Sequence, residues 1–154
     1  RTISVQRAVN YWKTSSVDYQ NILIHDSARP CVRSSDIRAM LEDFCIGGHD
    51  GAVLGSPVSD TLKEIDPENL DVIRTVDRKD LWKVYTPQVF ERGILEAVFE
   101  KLEKGKEFTD ESGMLEESLG KIKIHLGSTD NIKITHPEDL NLVKSILTAQ
   151  GRIF

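Results

Sequence analysis

A chain of 154 residues carrying a net charge of −5, with no lysine or arginine block, has room for one ordinary domain and no broad basic face for nucleic acid. Apolar residues make up 39% and charged residues 29%, a globular balance, and the apolar runs are far too short for a membrane-crossing helix. Cys31 and Cys45 are too few for a disulfide scaffold and form no Cys-x-x-Cys pair, which points to a reduced, intracellular setting.

Strand-like and helix-like patterns alternate along the chain. Ile3, Val5, Ala8, Val9 and Trp12 suit one face of a first helix. Asn21–His25 is a short apolar run followed by turn formers, which reads as a buried strand. Ser34, Ser35 and Asp36 are good N-cap types for a helix through Phe44 that Gly47-Gly48 ends. Gly51–Gly55 reads as a second buried strand. Thr61–Ile65 and Val72–Val76 are short and β-branched, with the turn-like Asp66-Pro67-Glu68-Asn69 between them.

After Thr86-Pro87, the spacing of Val89, Phe90, Ile94, Leu95, Val98, Phe99 and Leu102 predicts a helix with Pro87 in its first turn. Asp110–Leu119 predicts a shorter helix stopped at Gly120. Lys121–Leu126 alternates, with Ile122, Ile124 and Leu126 on one face, as a half-buried strand does. Thr135-His136-Pro137-Glu138 reads as a capping box that opens a last helix with Leu140, Val143, Ile146 and Leu147 on its apolar stripe. The sum is an α/β domain in which helices cover a mostly parallel sheet. In such folds chemistry collects beyond the carboxyl ends of the strands.

That rule selects two loops. Asp26 directly follows the first strand and Arg29 comes three positions later. A carboxylate there suits Mg²⁺, and a guanidinium grips a phosphate with two donors. The plainer alternative is an Asp26–Arg29 ion pair that shapes the turn. Asp130 and Lys133 lie just past the Lys121–Leu126 strand at the same edge, where an ammonium can meet developing negative charge; the alternative is a polar loop before a helix. Asp60-Thr61-Leu62-Lys63 and Asp77-Arg78 flank the two short strands, a unit too small to be stable alone, which implies packing against a partner subunit or a plain surface hairpin. The four histidines have no metal-ligand spacing, and no hydrolase elbow, P-loop or dinucleotide glycine pattern is present.

Taken in order, several segments resemble one known family. They are Arg1-Thr2-Ile3-Ser4-Val5, His25-Asp26-Ser27-Ala28-Arg29-Pro30, Pro57–Lys63, Thr75-Val76-Asp77-Arg78, Leu81-Trp82, Thr86-Pro87-Gln88, Thr109-Asp110-Glu111 and Asn131–Leu140. Their order and spacing are similar to those of the 2-C-methyl-D-erythritol 4-phosphate cytidylyltransferases of the non-mevalonate isoprenoid pathway. The resemblance implies a Rossmann-like three-layer α/β sandwich with a mostly parallel sheet. It also implies a projecting β-arm, about residues 59–78, that makes a homodimer. The reaction it implies is transfer of CMP from CTP to methylerythritol phosphate with release of pyrophosphate, in the bacterial cytoplasm or a plastid.

Residue by residue, the resemblance implies Lys133, Arg78 and Asp26 in catalysis. It implies Mg²⁺ on Asp26 with Asp130 as a second ligand, and polyol-phosphate contacts from Arg29, Thr61, Thr86, Thr109 and Arg78, some reaching across the dimer. It implies nucleotide contacts from Ser4 and Ser27, the latter standing where the family usually has alanine.

The family begins with a strand and a glycine-rich loop that clamps the CTP triphosphate, and nothing here matches that loop. The chain opens on Arg1 with methionines only at 40 and 114, so the expectation is one domain over residues 1–154 that lacks its first part. Two other readings stand beside the first. One is a pentitol-phosphate cytidylyltransferase acting on ribitol 5-phosphate, and the other is a non-catalytic, dimerising α/β module without the nucleotide loop.

Overall fold

A computed structural model describes residues 2–101, 108 and 110–153. In chain order these form α1 (Thr2–Lys13), β1 (Asn21–Ile24), α2 (Ser34–Gly47), β2 (Gly51–Pro57), β3 (Leu62–Ile65) and β4 (Val72–Val76). There follow β5 (Trp82–Glu91), α3 (Arg92–Lys101), α4 (Glu111–Glu117), β6 (Ile122–Leu126) and α5 (Asp139–Ala149). The main sheet has four strands in the order β1-β5-β2-β6, while β3 and β4 make a two-stranded sheet of their own.

The sheet is mixed, which corrects the expectation of a mostly parallel one. Among the described residues only β2 and β6 pair in parallel; β5 runs antiparallel to both β1 and β2. The cause is the β3–β4 hairpin. The chain leaves β2 at Pro57 and returns opposite it at Trp82, in register with the residue it left from. A strand that re-enters at the edge it left must run back antiparallel, because a parallel neighbour needs a crossover of a dozen residues or more.

The same excursion corrects the helix expected from Pro87. Residues 82–91 are extended, and α3 begins only at Arg92. Val89 and Phe90 lie at helical spacing from Ile94 and Leu95, yet they also alternate as strand residues do. Phe90 packs with Val9, Leu95, Val98, Phe99, Met114 and Leu115, whereas Val89 packs with Met40, Phe44, Ala52, Leu54 and Tyr85. Successive side chains thus reach two separate cores on the two faces of the sheet. Helices α1, α3 and α4 contribute to the first and α2 to the second.

The register of β5 against β2 shifts between Val53, opposite Gln88, and Gly55, opposite Val84. Tyr85, Thr86 and Pro87 therefore have no paired residue on β2, and β1 pairs no further along β5 than Gln88. Proline within a central strand is tolerated at such an irregularity because it has no N–H to give to the ladder. The consequence is that the main chain around Thr86 is open to partners from outside the sheet.

The helix ends follow their residue types in part. Gly48 closes α2 in the left-handed region at φ 61, whereas Arg33, rather than Ser34, Ser35 or Asp36, stands at its N-cap. Asp36 instead accepts from the Ser128 N–H at 2.9 Å, which fastens α2 to the turn after β6. At α4 the Asp110 side chain caps the Gly113 N–H, and Gly120 N–H closes back on the Leu115 carbonyl. Of the α1 stripe Val9 is buried, while Ile3 and Trp12 remain 65% and 45% exposed. At α5 the reciprocal carboxylate belongs to Asp139 rather than Glu138. It accepts from Thr135 N–H at 2.8 Å, His136 N–H at 2.9 Å and the Thr135 hydroxyl at 3.0 Å.

Two outcomes follow for stability. A Cβ on Gly55 would stand 2.8 Å from the Lys83 carbonyl oxygen and 3.1 Å from Ile124 Cγ2, and backbone cannot move aside without disturbing the β2–β5 ladder. Gly55→Ala should therefore destabilise the protein by about 1–3 kcal/mol, read from urea unfolding, and a neutral result would show that the ladder gives way easily. The three donors around Asp139, Thr135 N–H foremost, hold its carboxyl below the ordinary carboxylate range. Its contribution is therefore present at neutral pH and is lost as the pH falls through its lowered value. Asp139→Asn should lower the melting temperature at pH 7, and the gap to the parent should close in strong acid; a gap that does not depend on pH would exclude this source.

Candidate functional site

The loops after β1 and β6 meet over Thr86 at one edge of the sheet. β1 stops at Ile24, opposite Gln88, so the next residues leave the ladder as a turn. Arg29 N–H donates to the Asp26 carbonyl at 2.9 Å, and the Asp26 carboxylate accepts from Ala28 N–H at 3.3 Å. Asp26 N–H donates to Thr86 Oγ1 at 2.9 Å, and His25 Nδ1 lies 3.2 Å from the same hydroxyl. Thr86 is 4% exposed, so this part of the edge is a fixed floor rather than a solvated surface.

The second loop lies across the first. Lys133 Nζ stands 2.9 Å from Asp26 Oδ2, joining the two charges that the sequence placed at the carboxyl edge. Ile134 N–H donates to the Ala28 carbonyl at 2.8 Å, and Arg29 donates to the Asn131 carbonyl at 2.7 Å. The Arg29 guanidinium also stacks over the Tyr85 ring, 5.3 Å from its centroid, and the Tyr85 hydroxyl bonds Ser56. Asp130 pairs with Arg33 at the start of α2. The Lys133 side chain is 44% exposed and that of Asp26 only 20%, so the ammonium forms the outer and the carboxylate the inner half of the pair.

Asp26, Arg29, Thr86 and Lys133 are thus brought together, while Asp130, on the same loop as Lys133, turns to Arg33. Ser27 is exposed within the first turn, and among the described residues it adds no hydrogen bond to this network. Ser4 lies on α1, where it lines an apolar cavity of about 510 Å³ with Val5, Ala8, Ile22 and Ile24, between α1 and β1, which among the described residues is an edge strand. Thr61 and Arg78 flank the β3–β4 hairpin, where Arg78 donates to the Ser59 carbonyl. Thr109 lies outside the described residues.

Two buried amides went unassigned in the sequence reading. Gln88 is 1% exposed and donates to Asp110 Oδ2 at 2.7 Å, joining β5 to the start of α4. Asn131, also 1% exposed, donates through Nδ2 to the Thr86 carbonyl at 2.9 Å. Nothing local marks either as buried; the one available signal is their place inside the motif segments. Cys31 is buried, which pushes its thiol up and leaves little thiolate for chemistry.

The donor set bears on a metal. Mg²⁺ takes oxygen ligands and commonly binds through one or two carboxylates together with substrate phosphates. Asp26 fits that demand as a single inner carboxylate. Asp130 holds Arg33, which a second carboxylate ligand would have to release. Among the described residues no three acidic, histidine or cysteine side chains gather into an all-protein cage.

Fold and edge together define an α/β protein whose two converging loops present a lysine, an arginine and carboxylates beside a buried strand. The family model for 2-C-methyl-D-erythritol 4-phosphate cytidylyltransferase matches residues 1–149, and the chain belongs to that family. It is 37% identical over 152 residues to the enzyme of that name from Acinetobacter baumannii (strain ATCC 17978), covering 98% of this chain and 63% of the relative. It is 42% identical over 131 residues to the chloroplastic enzyme of Oryza sativa subsp. japonica, covering 84% of this chain and 43% of the relative. A solved 4-diphosphocytidyl-2C-methyl-D-erythritol synthase superposes with a TM-score of 0.81 at 31% identity, covering 93% of this chain and 65% of that one. The cytidylyltransferase of Thermus thermophilus superposes with a TM-score of 0.77 at 29% identity, covering 96% and 68%. The chain thus spans less than two thirds of the length of the Acinetobacter and Oryza relatives.

Proposed function

We propose that this chain belongs to a cytidylyltransferase that moves CMP from CTP to 2-C-methyl-D-erythritol 4-phosphate and releases pyrophosphate. What supports the reading is the Lys133–Asp26 pair at the sheet edge, formed by two motif segments in a chain of that family. The substrate phosphate attacks the α-phosphorus of CTP and pyrophosphate departs in line, so catalysis consists of positioning and charge stabilisation. Lys133 supplies an ammonium for the crowded α-phosphate. Arg29, braced on Tyr85 and the Asn131 carbonyl, holds the acceptor phosphate. Thr86 and Thr109 line the acceptor, and Ser4 and Ser27 face the nucleotide. Asp26 would hold Mg²⁺, with Asp130 as a second carboxylate, and the cation would offset negative charge on the phosphates. The relatives are bacterial and chloroplastic, which supports the bacterial cytoplasm or a plastid as the place of work.

Lys133→Ala, made in the full-length protein, should lower turnover about 100–1,000-fold while the fold survives. Pyrophosphate release from CTP, Mg²⁺ and methylerythritol phosphate measures it, and near-normal turnover would remove Lys133 from the mechanism. Turnover of ribitol 5-phosphate in preference would make the protein a pentitol-phosphate enzyme, and the absence of pyrophosphate release with either acceptor would make it a non-catalytic module.

The hairpin of β3 and β4 belongs to the same reading as a projecting arm that joins two copies. Ile65, Val72 and Ile73 are 43%, 59% and 59% exposed, apolar area that a twofold partner would cover with the same patch. Crossing would carry Thr61 and Arg78 toward the neighbour's acceptor phosphate. A mixed dimer of full-length Arg78→Ala and Lys133→Ala subunits would then hold one site with both lesions and one intact, so activity should return on mixing. No recovery, although heterodimers form, would place each site within one subunit.

A further inference from the structure

We infer that Asn131 is a positioning residue for Lys133, its buried amide setting where the ammonium stands. The inference rests on the functional reading above for its meaning, though not for its test. It starts from an anomaly of burial. The loop after β6 is polar, with Thr129 and Lys133 exposed, yet Asn131 between them is 1% exposed. A polar side chain at that depth needs a partner, and Asn131 has one in a particular place: Nδ2 donates to the Thr86 carbonyl at 2.9 Å. That carbonyl lies in the stretch of β5 that the register shift leaves unpaired on β2. The side-chain amide therefore does what a neighbouring strand would otherwise do, and binds a loop to the sheet at one point.

Its main chain extends the same clamp. The Asn131 carbonyl accepts from Arg29 at 2.7 Å, and Asn131 N–H donates to the Ser128 carbonyl at 3.1 Å. Thr86, which takes the amide on its carbonyl, takes Asp26 N–H on its hydroxyl. One residue of β5 thus fixes both members of the Lys133–Asp26 pair: Asp26 directly and Lys133 through Asn131, two positions upstream. Lysine reaches its partner on a flexible four-carbon stem, so its aim depends on where its backbone starts. A displacement of about 1 Å in such a group can lower a rate about 100-fold.

Two variants test this in the full-length protein. Asn131→Leu keeps the branched shape and removes the donor without adding charge; Asn131→Ala removes the side chain. Reductive methylation, followed residue by residue by mass spectrometry, reads how free each lysine amine is, with Lys63 in the hairpin as the internal reference. Both folded variants should methylate Lys133 several-fold faster than the parent while Lys63 is unchanged. In the transfer assay kcat should fall at least about tenfold with KM for CTP unchanged, because the ammonium is present but misplaced. Folded variants with the parent's Lys133 rate overturn the inference, since a purely structural amide lowers the melting temperature without touching that amine. Failure of both variants to fold likewise assigns the amide to the core and overturns it. A parent protein without transferase activity would remove the functional reading, and the methylation rates would still decide the role of Asn131.

Discussion

Most of what the edge can do depends on one strand running the wrong way. β5 re-enters the sheet between β1 and β2 from a hairpin, and the direction of that return forces it antiparallel to β2 and so to β1, which runs the same way as β2. Because its pairing with β2 breaks between Val53 and Gly55, it arrives with Tyr85, Thr86 and Pro87 outside the ladder. A buried peptide group without a partner costs roughly 1–3 kcal/mol. The two loops that cross this stretch supply partners: Asp26 N–H goes to the Thr86 hydroxyl and Asn131 Nδ2 to its carbonyl. The backbone's need for hydrogen bonds thus draws the loops together, and the Lys133–Asp26 pair is a consequence of that meeting rather than its cause.

An ion pair between partly exposed side chains contributes little to stability by itself, typically less than about 1 kcal/mol. With the Lys133 side chain 44% exposed, the pair cannot be what holds the loops. The buried hydrogen bonds and the Ile134–Ala28 backbone link do that, and they leave the ammonium near solvent where a phosphate could displace the carboxylate. Arg29 is held differently, on the face of Tyr85 in β5 and on the carbonyl of Asn131, whose side chain is itself bonded to β5. The division suits a site that meets anions: a rigid floor, one braced cation and one adjustable one.

Much of this was legible in the residues. Strict alternation marked β6 and the run at Asn21–His25 marked β1 as strands, and the carboxyl-edge rule was enough to bring Asp26 and Lys133 to one edge. Their burial was misjudged, for β1, expected to be buried, ends the strand order with Leu23 44% exposed, and Leu126 on the expected apolar face of β6 is 65% exposed. What failed was non-local. Strand direction is set by where the chain has been, so nothing within Trp82–Glu91 announces antiparallel pairing. The same segment satisfied two periods at once, since Val89 and Phe90 serve a helix stripe with Ile94 and an alternating strand equally well. Gln88 and Asn131 were passed over for a related reason. An amide reads as loop or surface until the fold shows a backbone group that needs it.

The cap of α5 shows how finely the two levels interlock. A reading of Thr135-His136-Pro137-Glu138 as a capping box is not borne out: the N-cap is Glu138, which makes no side-chain cap bond, and Asp139, with its shorter side chain, instead reaches back to Thr135 and His136 together. The effect extends beyond the helix. Lys133 lies two residues before Thr135, so the chain that carries the ammonium is pinned on one side by the Asn131 amide and on the other by the Asp139 carboxylate. Only three residues, Ile132 to Ile134, span the interval between Asn131 and Thr135, and Ile134 is itself tied to Ala28. A lysine on so short a span between two fixed points keeps its backbone origin while its stem remains free, which is the combination a group needs to meet a phosphate that arrives and leaves.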